Sequence, residues 1–381
     1  MHIYHRLMYS LGSGSLLLIL AVTLTGCTDA VPQDVVEAIE SLDRDLMDLR
    51  AAELSPDDYA RFAHQWMALK TRVQAEDDLI HWPWESNELD LSLRRLYEEG
   101  VQTVARITDQ RKALGQAAER KLTSVEDRFH ILTVQVRAID SRLVLGQQLV
   151  ETDLLVKQAR AFFEEGQFER SIEASVKAGQ MLTSQTDLLS SELGRYADHE
   201  RIGRWQQMAN ETIAWSRRHH ASAIVVSKAD RVLTLYKNGQ KVLSYPVRLG
   251  FNGIREKRYQ GDGATPEGRY LIAGKRGQGQ TQFYRALLLD YPNEEDRRRF
   301  QSARKTGLIP ASKGIGGQIE IHGVENELAA QTLGCVMLEN AHMVSLYDRV
   351  EKGTPVTIVG ALQEQNSVAQ ALASLGQRND I

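Results

Sequence analysis

Cysteine is nearly absent from this 381-residue chain: Cys27 and Cys335 are the only two. A disulfide-stapled scaffold is thereby excluded, since one bridge at most can form. An excess of basic charge is also missing. The formal net charge is −4, so no broad cationic field exists to hold nucleic acid, and no nucleic-acid partner is expected. Long apolar runs are lacking too. The most apolar stretch, Leu16 to Leu24, is shorter than the roughly 20 residues a membrane-spanning helix needs. Glycines cluster at Gly261-Asp-Gly263-Ala-Thr-Pro-Glu-Gly268, but without the Lys-Ser/Thr ending or the following helix of a phosphate loop. Cys335, His322 and His342 lack a fourth ligand at a recognisable spacing, so no metal and no cofactor is expected.

What is present starts with the N-terminus. His2, His5 and Arg6 precede the apolar run, which has the length of a signal-peptide core. The run ends in Leu24-Thr25-Gly26-Cys27, which resembles the bacterial lipoprotein box. The resemblance implies that residues 1–27 are a signal peptide and that Cys27 becomes a lipidated N-terminus. Such an anchor attaches a protein to a membrane without spanning it. Thr28 stands where the usual inner-membrane retention signal has Asp. The expected location is therefore the cell envelope, facing the periplasm, on the outer membrane.

Residues 28–220 read as helix. Val35, Val36, Ile39, Leu42, Leu46 and Leu49 recur at helical spacing. Ser55-Pro56-Asp57-Asp58 starts a helix, with acids at its positive end. Trp82-Pro-Trp-Glu-Ser-Asn87 breaks the pattern as a loop. Scarce proline and glycine together with abundant charge predict an elongated bundle. Around Phe163, Gly166, Phe168 and Ile172 the chain resembles a tetratricopeptide turn. No repeat at a fixed period accompanies it, so a plain helical hairpin is expected, with a protein partner on this region as the alternative. The basic stretch Ser216-Arg-Arg-His-His220 marks the boundary, and a fragment beginning near Ala221 is expected to fold by itself.

After the boundary the period becomes that of strands. Ile224-Val-Val226 and Arg231 to Tyr236 are followed by an Asn238-Gly239 turn and the strand Lys241 to Leu249. Further strands are predicted at Arg269 to Ile272, Ala286 to Leu289 and Pro355 to Val359, with a helix over Ala341 to Val350. The fold class is thus α+β and multidomain: an all-α N-terminal region, then a mainly β domain over 221–360, then a polar tail over 361–381.

Two short stretches in that domain carry chemistry. Gln318-Ile-Glu-Ile-His322-Gly323 reads as a strand delivering a histidine, and Thr332-Leu-Gly334-Cys335-Val-Met-Leu338 supplies a cysteine. A thiol beside an imidazole suits acyl transfer, since the imidazole can generate a thiolate near neutral pH. The N–H of Cys335 or Gly334 is placed to meet an oxyanion. His342, seven residues on from the cysteine, is a rival base.

These motifs resemble the L,D-transpeptidase catalytic domain of YkuD type, whose pattern is His-Gly, a variable insert, then Ser/Thr-x-Gly-Cys. The Asn-Gly hairpin, Thr265-Pro266-Glu-Gly268 and Asp290-Tyr-Pro-Asn293 are similar to that family as well. The resemblance implies a Cys335 nucleophile, a His322 base, and Gly323, Thr332 and Gly334 shaping the site. It implies peptidoglycan stem peptides as substrates and transfer of the acyl group to an amine. Water as acceptor gives a carboxypeptidase or amidase instead, and a non-catalytic peptidoglycan-binding protein is the remaining alternative. Leu333 and Met337 depart from the family, where His and Arg or Asn are common.

Overall fold

A computed structural model describes residues 31–76, 88–139, 145–324 and 332–376. The signal segment with Cys27, and the loop predicted around Trp82–Asn87, lie outside these residues. The chain divides into two compact units after Ala117. The first is helical: α1 (Gln33–Asp48), α2 (Ala51–Leu54), α3 (Pro56–Glu76) and the start of α4 (Glu88–Ala138). Ile39, Leu46, Phe62, Trp66, Leu93 and Ile107 make its core. The buried faces follow the spacing seen in the sequence, with Val35, Ile39, Leu42 and Leu46 inward on α1.

The second unit, residues 118–381, contains α5 (Gln148–Glu164), α6 (Phe168–Leu193) and α7 (His199–His219), followed by the sheet domain. Gly166 turns the α5–α6 hairpin at φ 70°, and Phe163 and Phe168 pack across it with ring centroids 5.6 Å apart. Asp198 caps α7 by accepting the Arg201 N–H at 2.9 Å.

The strands are β1 (Ser222–Ser227), β2 (Val232–Lys237), β3 (Gln240–Pro246), β4 (Gly268–Arg276), β5 (Ala286–Leu289), β6 (Glu320–His322), β7 (Val336–Met337) and β8 (Pro355–Val359). They form one sheet in the order β3-β2-β1-β8-β4-β5-β6-β7. Beyond β3 the chain returns to the far edge, where Arg248 bridges Met337 and Gly250 bridges Thr332. The sheet thereby curls into a half-barrel, and the strand ends bearing the two chemical motifs face the loop after β3. Ile224, Val226, Ile272, Ile321, Val336, Val356 and Ile358 fill its interior.

Three helices lie in or after the sheet domain: α8 (Glu294–Lys305), α9 (Asn340–Tyr347) and α10 (Ser367–Gly376). The sequence reading did not include α8, although its signal was there. Asn293 and Asp296 form a reciprocal capping box. The tail read as polar buries Val368, Ala371 and Leu375 on one face of α10.

The helices before Ala221, expected from sequence to be separable, share a core with the sheet. One continuous core contains Leu182, Leu189, Tyr196 and Trp205 from the helices with Ala229, Ile254, Val359 and Ala361 from the sheet domain. A Cβ placed on Gly360 would sit 2.2 Å from the Trp205 ring, so the glycine is what lets the indole dock. Arg195 donates to Glu267 Oε2 at 2.7 Å and to the Ile254 carbonyl at 2.6 Å. Glu267 Oε1 also accepts from Lys228 Nζ at 2.8 Å, and that lysine is fully buried. Periodicity shows which face of a helix is apolar, but not what covers it.

Candidate active site

β6 and β7 pair in parallel, Ile321 opposite Val336 and His322 opposite Met337. Cys335 enters just before β7, beside Glu320, whose N–H lies 3.4 Å from Sγ. The Gln318 carbonyl lies 3.7 Å from the same sulfur. Strand alternation puts Glu320 and His322 on one face, so the thiol and the imidazole are delivered from neighbouring strands.

His322 is 1% exposed. Its Nδ1 lies 2.8 Å from the Gly323 carbonyl. A carbonyl only accepts, so Nδ1 carries the proton and Nε2 keeps its lone pair. Among the described residues nothing bonds that buried Nε2. Phe283 stacks on the imidazole, centroids 3.6 Å apart and 16° between planes. The Asn340 side chain clamps the next residue, accepting from the Val324 N–H and donating to the Val324 carbonyl, each at 2.7 Å. A Cβ on Gly323 would collide with Asn340 Oδ1 at 2.6 Å, so glycine is what lets the clamp close.

The turn before Cys335 is shaped by the residues the sequence singled out. Thr332 Oγ1 donates to the Cys335 carbonyl at 2.9 Å, and the Gly334 N–H points at that same hydroxyl, 3.4 Å away. Gly334 holds φ 133°, and a Cβ there would meet the Ala264 carbonyl at 2.7 Å. With the Gly334 N–H so directed, the Cys335 N–H is left without an acceptor among the described residues. Of the two oxyanion donors considered from sequence, the geometry favours Cys335.

The other sequence candidates separate. His342 stacks on Tyr245 of β3, centroids 4.1 Å apart, with Nδ1 3.9 Å from Glu339. Leu333 is 69% exposed, whereas Met337 is 3% exposed within the closing strand. The two departures from the family pattern thus differ in kind, one on the surface and one in the core. Phe283, Asn340 and Glu320 were not assigned to the site from sequence: the first two lie outside both motifs, and Glu320, inside the first, reads only as part of a strand. Only the strand register and the turn after β7 bring them there.

The resting electrostatics differ from a preformed ion pair. Burial pushes the Cys335 thiol up to about 11, partly offset by the Glu320 N–H and raised further by the Glu320 charge. Burial holds His322 below the ordinary imidazole range, with the Gly323 bond opposing. Burial also raises Glu320, against the nearby Arg276. Thiol and imidazole are therefore both neutral at rest, and a thiolate ready at neutral pH, as expected from sequence, is not what these surroundings favour. Alkylation of Cys335 in the absence of substrate is expected to keep rising with pH above the ordinary cysteine value of about 8.5. A plateau already reached at neutral pH would show instead a stabilised thiolate.

Residues 221–358 match the family model YkuD, the L,D-transpeptidase catalytic domain. The domain match begins at the end of α7 and closes at β8, so it takes in both chemical motifs. No curated protein matches the chain. Solved structures similar to it include the Bdellovibrio bacteriovorus protein Bd1075, at 21% identity and TM-score 0.29, covering 43% of this chain and 57% of that one. L,D-transpeptidase 1 of Mycobacterium tuberculosis is 20% identical with TM-score 0.22, covering 37% of this chain and 62% of that one. An L,D-transpeptidase from Xylanimonas cellulosilytica is 18% identical with TM-score 0.23, covering 36% and 60%. The chain thus spans about three fifths of the length of these structures. No helix among the described residues is long and apolar enough to cross a membrane.

Proposed function

We propose that the protein is a peptidoglycan L,D-transpeptidase working through a Cys335 thioester. As Sγ attacks the carbonyl at the L-centre of the diamino acid in a stem tetrapeptide, His322 Nε2 takes the thiol proton. The Cys335 N–H donates to the oxyanion. The bond to the terminal D-Ala nitrogen breaks, and that amine leaves with the proton from His322. An acceptor amine then attacks the thioester carbonyl and yields a proton to His322. The C–S bond breaks and the thiol is restored.

One observation carries this reading. The imidazole on β6, two residues beyond the Glu320 N–H that lies 3.4 Å from Cys335 Sγ, has its Nδ1 proton committed to Gly323 and a buried Nε2 without a partner among the described residues. A neutral base with its lone pair free can take a proton at the moment of attack, which does not require a resting thiolate. The match of residues 221–358 to the domain family supports the substrate class. Mass spectrometry of the protein after incubation with stem tetrapeptide tests it. The expected result is an adduct on Cys335 with loss of D-Ala, and an unchanged mass would refute it.

The lipid anchor belongs to the same proposal, with the enzyme held at the outer membrane and facing the wall. Cys27→Ser is expected to leave the precursor unprocessed and without incorporated fatty acid. Absence of labelled acyl chain from the unsubstituted protein would remove the anchor.

A further inference from the structure

A cavity of about 560 Å³ lies between α7, the Glu256–Arg258 loop and α8. Along α7 it is lined by Arg201, Arg204, Trp205 and Met208, the spacing of a single helical face. The basic side chains around it are not equally committed. Lys257 is held by Asp262 at 2.7 Å, and Arg299 bonds Asp296. Arg204 meets Glu200 only at 3.6 Å on an open surface. Arg201 has no ion pair among the described residues, and its Nε is buried without an acceptor.

We propose that this cavity binds the acyl acceptor by a peptide carboxylate, with Arg201 as its principal contact. A guanidinium presents parallel N–H donors that match the two oxygens of a carboxylate. Met208 and Phe300 in its lining offer apolar surface to the body of a short peptide, and the volume falls in the range of small-ligand pockets. Two of its lining residues lead toward the proposed catalytic site. Ile315 lines it, in the loop that continues to Gln318, whose carbonyl meets Cys335 Sγ. Lys257 lines it too, and its charge acts on the thiol. Arg201 and Trp205 precede the residues that match the domain family, so this subsite is a contribution of the helical region. The acceptor role rests on the acyl-transfer reading above.

The test separates the site from that reading. Calorimetry on the full chain carrying Cys335→Ala compares a stem tripeptide with free carboxylates and the same tripeptide fully amidated. The free acid is expected to bind about tenfold tighter or more. Arg201→Met should lose that preference and Arg201→Lys retain part of it. In the active enzyme, Arg201→Met should raise the acceptor KM by a similar factor and leave acylation of Cys335 by the donor unchanged. Equal affinity of acid and amide for the Arg201 protein overturns the proposal without any substitution at Arg201. Displacement of the tripeptide by equal concentrations of inorganic phosphate also overturns it, by showing a general anion site. If Cys335 never acylates while the carboxylate preference persists and depends on Arg201, the acyl-transfer reading falls and the carboxylate site stands.

Discussion

Cys335→Ala is expected to abolish acyl-enzyme formation, and His322→Ala to slow it by about 10²- to 10⁴-fold. The first follows because the only other cysteine is Cys27, so no second thiol exists in the sheet domain. The second follows from the neutral resting pair. With the thiol raised to about 11 by burial, attack at neutral pH depends on a base that removes the proton as the C–S bond forms. His322 supplies an uncommitted Nε2 for this. His342→Ala is expected to cost far less, since its ring stacks on Tyr245 of β3 and comes from α9, not from the paired strands β6 and β7. The pH dependence has a defined sign. His322 must be neutral to act and burial lowers its pKa, so acylation should persist below the ordinary imidazole value of about 6.5. It should fall only at more acidic pH. Stopped-time mass spectrometry across pH, with melting curves for each variant, measures both effects. Wild-type acylation rates in His322→Ala would reassign the base.

A fragment beginning at Ala221 is expected to lose the cooperative fold. It lacks Trp205, whose ring seats on Gly360, and removal of a core tryptophan costs about 3–5 kcal/mol. It also lacks Arg195 while keeping Lys228 and Glu267 inside. Burial alone would raise Glu267, but the Arg195 and Lys228 charges overturn this and hold it below the ordinary carboxylate range. Burial pushes Lys228 down to about 8, a sign of how dry its surroundings are. Breaking a buried ion network by removing one partner costs about 3–5 kcal/mol. The two losses together are comparable to the whole stability of a typical domain, about 5–15 kcal/mol. The exposed faces of Ala229, Ile254, Val359 and Ala361 add to them. A fragment from Ala118 keeps all these contacts and should melt cooperatively. A circular-dichroism melt and Cys335 acylation of both fragments decide the matter. A folded, active 221–381 fragment would show that the helices are dispensable.

The network also reaches the site. Lys228 donates to the Thr265 carbonyl at 2.8 Å, and Thr265 Oγ1 accepts the Gly250 N–H at 3.0 Å. Gly250 backs directly onto Gly334, as a Cβ there would sit 2.7 Å from the Gly334 Cα. Arg195 in the helical region is thus joined by polar contacts to Gly250, which packs against the turn that presents the thiol.

Much of this was legible in the chain itself. The strands over Ala286–Leu289 and Pro355–Val359 emerge at the residues their apolar runs mark, because a short apolar run between turn signals has few alternatives. The Asn238-Gly239 hairpin forms with both residues at positive φ, as that dipeptide permits. Helix α8 shows no apolar period, since eight of its twelve residues are charged.

The sequence by itself determined the α-then-β order and the elements around the two motifs, and it singled out His322 and Cys335 as the candidates for chemistry. Those properties are local: they depend on periodicity, turn residues and two short motifs read one at a time. Only the tertiary structure decided that α6 and α7 belong to the same core as the sheet. It alone decided that His342 stacks on Tyr245, that Glu320 contacts Cys335 and Phe283 covers His322, and that a charged cavity lies along α7. Each of these depends on contacts between residues distant in the chain, and burial, which sets the charge states of Cys335, His322 and Lys228, exists only once those contacts are made.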